Sequence, residues 1–366
     1  MKKLIVTSLI ILAAIFILLE VCVRIFSPEY VGNIQSSTIT GGYHRYNLEM
    51  GGGQNRVPNP DYSLDNFKNK EIFLIIGRSI TDGNSTPYED IYWVQFMRML
   101  NLITNKNYHA FGITDYDNGK PEDAINTTAK QLESVGSSIK HILFNFTFTS
   151  VKPEDKKRMA ELWKENIKHL PFQRRFGILR YKYFHYSALI NLLQINIKPL
   201  VHKRSGTCEE RGLDALGEYS WTLGNKSLKE ESESLWKTFE NKIEAIKKKA
   251  EQLGASFTIN IAPVLMDIDV HGRHPKYNTL KMDLSCATID PRKRLQALGK
   301  QLGFKVVDPT QYLRNSFETR LKENNFVPYY VLADTSHITP TASGYTAEYL
   351  TAHYLKQFSK NFQPNH

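Results

Sequence analysis

The sequence predicts a three-layer, doubly wound α/β domain on a five-stranded parallel sheet, with a transmembrane helix ahead of it, and two observations predict this. From Glu71 onward, short apolar runs alternate with longer amphipathic ones, the signature of strand–helix–strand units closing a parallel sheet. Ahead of them, residues 4–19 form an almost unbroken apolar run directly behind Met1-Lys2-Lys3.

That run continues through Val21, Val23, Ile25 and Phe26, with Glu20 and Arg24 inside it. A span needs about 20 predominantly apolar residues, so the stretch suffices if the two charges snorkel to the far interface. No small-x-small cleavage site follows it, and Leu19-Glu20-Val21-Cys22 lacks the small residues of a lipoprotein site, which favours an uncleaved anchor over a signal peptide. Lys2 and Lys3 stay cytoplasmic under the positive-inside bias, so the body is expected outside, on the periplasmic or extracellular side.

The expected organisation is an anchor over 1–27, a juxtamembrane stalk or irregular segment over 28–70, and one domain over 71–360. The stalk is rich in Gly, Asn, Pro and Tyr, includes Gly51-Gly52-Gly53 and shows no sustained period. Strands are expected at 71–76, 107–111, 140–148, 256–262 and 304–307. Helices are expected at 89–103, 121–135, 228–253, 291–302 and 340–356, the last with Thr339 as N-cap and Pro340 at its first position. The interval of about 152–227 breaks this alternation and reads as an insertion over one end of the sheet. It holds a basic helix near 153–169 and an aromatic, basic stretch from Phe172 to Tyr186, suited to a lid or a partner surface.

Composition narrows the function classes. With 41% hydrophobic and 23% charged residues, the 366-residue chain can bury a full core, which excludes disordered and fibrous classes. Its formal charge of +10 brings no nucleic-acid motif with it, and runs such as Lys247-Lys248-Lys249 read as a solvated helix face. Three cysteines encode neither a disulfide framework nor a metal cluster. Cys22 falls in the anchor; Cys208 and Cys286 can pair in an oxidising compartment, but nothing in the sequence places them together. Asn84-Ser85-Thr86 and Asn126-Thr127-Thr128 fit a glycosylation triplet that is frequent by chance. His271, Arg273 and His274 have no matching ligand set and read as a surface turn, so neither metal nor cofactor is expected.

Two segments carry chemistry. At the end of the first strand stands Gly77-Arg78-Ser79-Ile80-Thr81-Asp82-Gly83. The carboxyl ends of parallel strands form the ligand crevice, so a serine between glycines there suits a nucleophile, and the following helix aims N–H groups at a developing oxyanion. Taken alone, the same loop equally suits a phosphate. Near the C-terminus stands Asp334-Thr335-Ser336-His337-Ile338-Thr339-Pro340. A serine hydroxyl needs a base, and that imidazole needs an acid to hold its tautomer; residues three apart in one turn supply both. Separately, Asp334 is an ordinary turn residue and His337 an ordinary residue before a helix.

These two segments together resemble the first and last blocks of the SGNH (GDSL-like) esterase family, over roughly residues 71–356. The resemblance implies Ser79 as nucleophile, His337 as general base and Asp334 as its orienting acid, on a flavodoxin-like sheet. It also implies an oxyanion hole from Ser79, from Gly112 of Tyr108-His109-Ala110-Phe111-Gly112, and from the residue at Thr149. Gly112 equally reads as a glycine ending a strand. Two departures stand out: the family's Gly-Asp-Ser is Gly77-Arg78-Ser79 here, putting a long cation beside the nucleophile. The third block's Asn is replaced by Thr149 within Phe146-Thr147-Phe148-Thr149-Ser150, and losing such a donor costs on the order of 10²–10³ in rate. The expected function is an esterase or O-acyltransferase acting on acylated cell-envelope glycan or lipid, bound to the membrane through its first helix and not to nucleic acid. A catalytically lapsed binding or assembly module is the other reading; a flavodoxin-like phosphate binder has no use for the Asp-x-x-His segment.

Overall fold

The computed structural model describes residues 2–26, 67–82, 88–114, 121–153, 189, 207–211, 215–216, 219–271, 282–323, 329–330 and 337–361. In chain order these form α1 (Lys2–Phe26), β1 (Glu71–Gly77), α2 (Ser79–Asp82), α3 (Tyr92–Thr104), β2 (Tyr108–Thr114), α4 (Pro121–Glu133) and β3 (Ser138–Phe146). They continue with α5 (Lys229–Gln252), β4 (Ser256–Ile261), α6 (Leu265–Ile268), α7 (Pro291–Leu302), β5 (Lys305–Val307), α8 (Thr310–Lys322) and α9 (Pro340–Asn361).

All five strands are parallel, in the order β2-β1-β3-β4-β5. Helices cover both faces, which is why β1, Glu-first and then buried throughout, reads as a continuous apolar run and not an alternating one. On one face Ile72, Leu74, Phe144, Phe146 and Ile259 meet α4, α5 and α7 through Ile125, Trp236, Phe239, Ile243 and Leu295. On the other, Phe73, Ile75, Leu143 and Val307 meet α3, α8 and α9 through Tyr92, Phe96, Leu313, Leu350 and Tyr354. The alternation along each strand sorts its residues between these two cores.

Helix ends follow their local chemistry. Asp290 caps α7 by accepting from the backbone N–H of Arg292 and Lys293, Pro291 follows it, and Gly303 closes the helix at φ 71, where a side chain would be strained. Thr339 Oγ1 accepts from Ala342 N at 3.4 Å ahead of Pro340, the cap expected for α9. The expected elements are present with shifted ends: β2 runs on to Thr114, and β3 starts at Ser138 and stops at Phe146, leaving Thr147 onward in a loop. The helix α8 is an addition. Its buried residues are only Thr310, Leu313 and Phe317, too narrow an apolar stripe to announce itself.

The long interval after β3 leaves and returns at one place, since Thr222 Oγ1 donates to Val151 O at 3.1 Å. Its closing segment is core, with Ser220, Thr222 and Asn225 fully buried. Cys208 and Cys286 form a disulfide, with Cα atoms 5.5 Å apart, settling a pairing that spacing left open. At the N-terminus α1 is one continuous helix, with Ile10, Leu12, Ile17 and Leu18 exposed. Its described side chains run unbroken only from Ile10 to Phe26, and among the described residues no helix is long and apolar enough to cross a membrane. Glu20 accepts from Arg24 Nε at 2.8 Å and from Leu189 N at 2.9 Å, which ties this helix to the insertion.

Candidate active site

The carboxyl end of the sheet carries the Ser79 turn after β1 and, through Tyr330, the stretch that begins at His337. Strand β1 delivers Gly77 and Arg78, and α2 opens at Ser79, whose side chain lies outside the described residues. The turn is held from beneath by α3. Trp93 Nε1 donates to Thr81 O at 2.8 Å, and Thr81 Oγ1 lies 3.3 Å from the Tyr92 hydroxyl. Tyr92 is fully buried, and that burial pushes its hydroxyl well above the ordinary tyrosine range, so it stays a neutral hydrogen-bonding group. Arg78 is half-buried beside this turn.

Gly112 lies opposite Ile75 and does not end its strand; β2 continues to Thr114, opposite Gly77. The Trp93 ring packs across it, with a ring carbon 3.6 Å from where a Cβ would stand. Thr149 is half-buried in the loop after β3. Its hydroxyl lies 3.1 Å from Thr147 Oγ1, which in turn lies 3.1 Å from Ser150 Oγ. Ser150 Oγ also accepts from Thr147 N, so the loop is a closed knot of hydroxyls.

His337 is half-buried beside a fixed stem made by residues 329–330 and 338–339. Tyr330 and Ile338 form an antiparallel bridge, and Thr339 N donates to Tyr329 O at 3.0 Å. Tyr330 anchors this stem to the sheet, because its buried hydroxyl donates to Pro263 O, just past the end of β4, at 2.6 Å. Burial, reinforced by the negative charge of nearby Asp267, raises that hydroxyl well above its ordinary pKa. Asp334 lies between Tyr330 and His337, outside the described residues. Ile80 of α2 and Ile338 both belong to the apolar core on the face of the sheet covered by α3, α8 and α9.

Sequence reasoning missed the charged support beside this end. Arg292 pairs with Asp267, lies 3.1 Å from Asp308 Oδ2, and stacks 5.0 Å above the Phe148 ring. Burial alone would lower its pKa, but the carboxylates of Asp267, Asp308 and Asp290 outweigh it and hold the guanidinium charged. It braces α6 and the start of α8 against the Thr149 loop. Also missed were Asn145 and Asn260, buried inside β3 and β4. The signal was present in both strands, a lone amide within an otherwise apolar run. Among the described residues no cluster of His, Cys, Asp and Glu could hold a metal ion. No protein-family model matches the sequence, and the search of curated proteins returns no match.

Proposed function

We propose that the protein is an SGNH-type serine acyl-ester hydrolase or O-acyltransferase, with Ser79 as nucleophile, His337 as general base and Asp334 orienting the imidazole. The observation that carries this reading is the common placement of the two segments: α2 follows the end of β1, and Tyr330, bridged to Ile338, is hydrogen-bonded to Pro263 just past β4, both at the carboxyl end of a 2-1-3-4-5 sheet. In open parallel α/β sheets ligands bind in the crevice at that end. In this reading the backbone N–H at Ser79 and the Thr149 hydroxyl receive the developing oxyanion. An acylated glycan or lipid of the cell envelope suits a site beside a membrane anchor. The exposed apolar side chains of α1 and the Cys208–Cys286 disulfide support an anchored, extracytoplasmic body, since disulfides persist in oxidising compartments.

The test is incubation of the full chain in detergent with a fluorophosphonate, read by intact mass. A single adduct that disappears in Ser79→Ala is the expected outcome. A second reading, a catalytically lapsed binding module of an envelope complex, is favoured by one observation. Thr149, standing where the family carries an amide, has its hydroxyl within hydrogen-bonding reach of Thr147. A folded protein that takes no adduct would establish that reading and reject the first.

A further inference from the structure

The amino end of the sheet, opposite the Ser79 turn, is basic. Lys68 precedes β1, Lys106 precedes β2, Lys140 lies in β3 and Lys305 opens β5, and all four are exposed. None of them stands in a helix, so complementing a helix dipole does not account for them. Lys140 reaches solvent from the central strand of the sheet. The pairing with β1 shifts from Ile72↔Ile139 to Phe73↔His141, which leaves Lys140 as the extra residue of a bulge, and a bulge re-aims the side chain it carries.

These cations share neighbours. Burial lowers the pKa of His141, and Lys106 and Lys140 both add to the effect; burial lowers His353 likewise, with Lys305 and Lys356 adding. The Tyr354 ring lies 5.9 Å from that of His141 and links the two groups, and exposed Lys356 follows two residues on. Glu71 acts on Lys106, exposed Glu133 ends α4, and Glu251 is paired with Lys247 at 2.5 Å, so the balance at this end stays positive.

Beside the lysines stand two apolar side chains in water. Leu102 is 84% and Ile103 58% exposed in the last turn of α3. Their place is fixed by Asn101, whose side-chain amide donates to Tyr108 O and accepts from Tyr108 N, both at 2.8 Å, tying the helix end to the first residue of β2. Lys106 lies within the same turn, its ammonium 5.4 Å from the centre of the Tyr108 ring.

We propose that the amino end of the sheet is a docking surface for an anionic lipid bilayer, with the lysines meeting lipid phosphates and Leu102 and Ile103 entering the interface beside them. Basic groups and inserted apolar side chains add in such binding. A nucleic acid or an anionic glycan would use the lysines and leave the apolar pair in water. Docked in this way, the strands carry the Ser79 turn about 20 Å outward from the lipid. The docking does not depend on Ser79 being a nucleophile.

The experiment places the full chain in nanodiscs of phosphatidylcholine, alone or with about one third phosphatidylglycerol, and reads lysine acetylation by peptide mass spectrometry at about 0.1 M salt. Lys293, 84% exposed in the first turn of α7 at the opposite end of the sheet, is the internal control. Acetylation of Lys106 and Lys140 is expected to be about tenfold slower in the anionic discs, with Lys293 unchanged. The protection should vanish at about 0.5 M salt. It should fall at least about threefold in Leu102→Ser/Ile103→Ser, a change at exposed positions that leaves the fold intact. Equal acetylation in the two kinds of disc would overturn the proposal. Full protection in the Leu102→Ser/Ile103→Ser variant would overturn it as well, as would protection by soluble polyphosphate in neutral discs where anionic lipid gives none, since the partner would then be a polyanion and not a bilayer.

Discussion

The Trp93 indole N–H donates to the Thr81 carbonyl across 2.8 Å, while the same ring covers Gly112 on β2. One side chain thus ties the turn that opens at Ser79 to the neighbouring edge strand. Trp93→Phe keeps most of the ring and strips the donor, leaving a buried carbonyl unpaired. Such a loss costs about 1–3 kcal/mol. A urea melt should show that decrease, with Ser79 labelling reduced further than global stability alone explains.

Gly77 and Gly112 should part company under the same substitution. A Cβ on Gly77 meets Thr81 and Asn145, whereas one on Gly112 meets only Trp93 at ordinary contact distance. Gly77→Ala is expected to destabilise by about 1–3 kcal/mol through overpacking. Gly112→Ala should stay within about 0.5 kcal/mol, as unstrained substitutions do, and should keep Ser79 labelling. Paired denaturation curves check the contrast.

Stability should fall as pH drops from about 6.5 toward 4. Burial holds the His141 imidazole down at about 4, with Lys106 and Lys140 adding to the effect, and burial likewise lowers His109 to about 4. Between those values and the unfolded pKa of about 6.5 the unfolded chain binds more protons, so each ring contributes full stability above that window and loses it on acidification. The slope is up to about 1.4 kcal/mol per pH unit for each ring. His141 stacks on Phe73 at 4.1 Å, so His141→Phe preserves the packing and should flatten the slope, measured by chemical denaturation across that range.

Breaking the Cys208–Cys286 disulfide removes a crosslink between positions 78 apart in sequence. Cys208→Ser/Cys286→Ser should lose about 2–4 kcal/mol. Denaturation of the parent with and without reductant checks this: reductant should lower the parent to the variant's midpoint and leave the variant where it is.

Arg292→Met leaves Asp267 and Asp308 facing each other without their cation, which is expected to cost about 2–4 kcal/mol. Adding Asp267→Asn and Asp308→Asn should recover part of that loss. The two melting temperatures, read side by side, test the network.

The sheet was legible in the sequence because its strands are buried on both faces and therefore written as unbroken apolar runs, such as Ile72 to Ile76. The cap Thr339 was equally plain, since capping is settled by residues a few positions apart. What escaped depends on neighbours far along the chain. Helix α8 shows only three buried positions, and Arg292 acquires its meaning from Asp267 and Asp308, which no spacing rule connects to it. Of the candidate site, the serine and histidine segments were visible as motifs. The paired amides of Asn145 and Asn260 were not, because they become partners only when β3 and β4 align in register.

The hydrogen bond between Thr222 and Val151 has a consequence for how this chain could have been assembled. An excursion whose two ends meet is a spliced cassette: lengthening it changes the closure entropy by only about 0.6 kcal/mol per doubling. Its last part, with Ala215, Leu216 and the Cys208–Cys286 disulfide, is built into the core of the sheet domain.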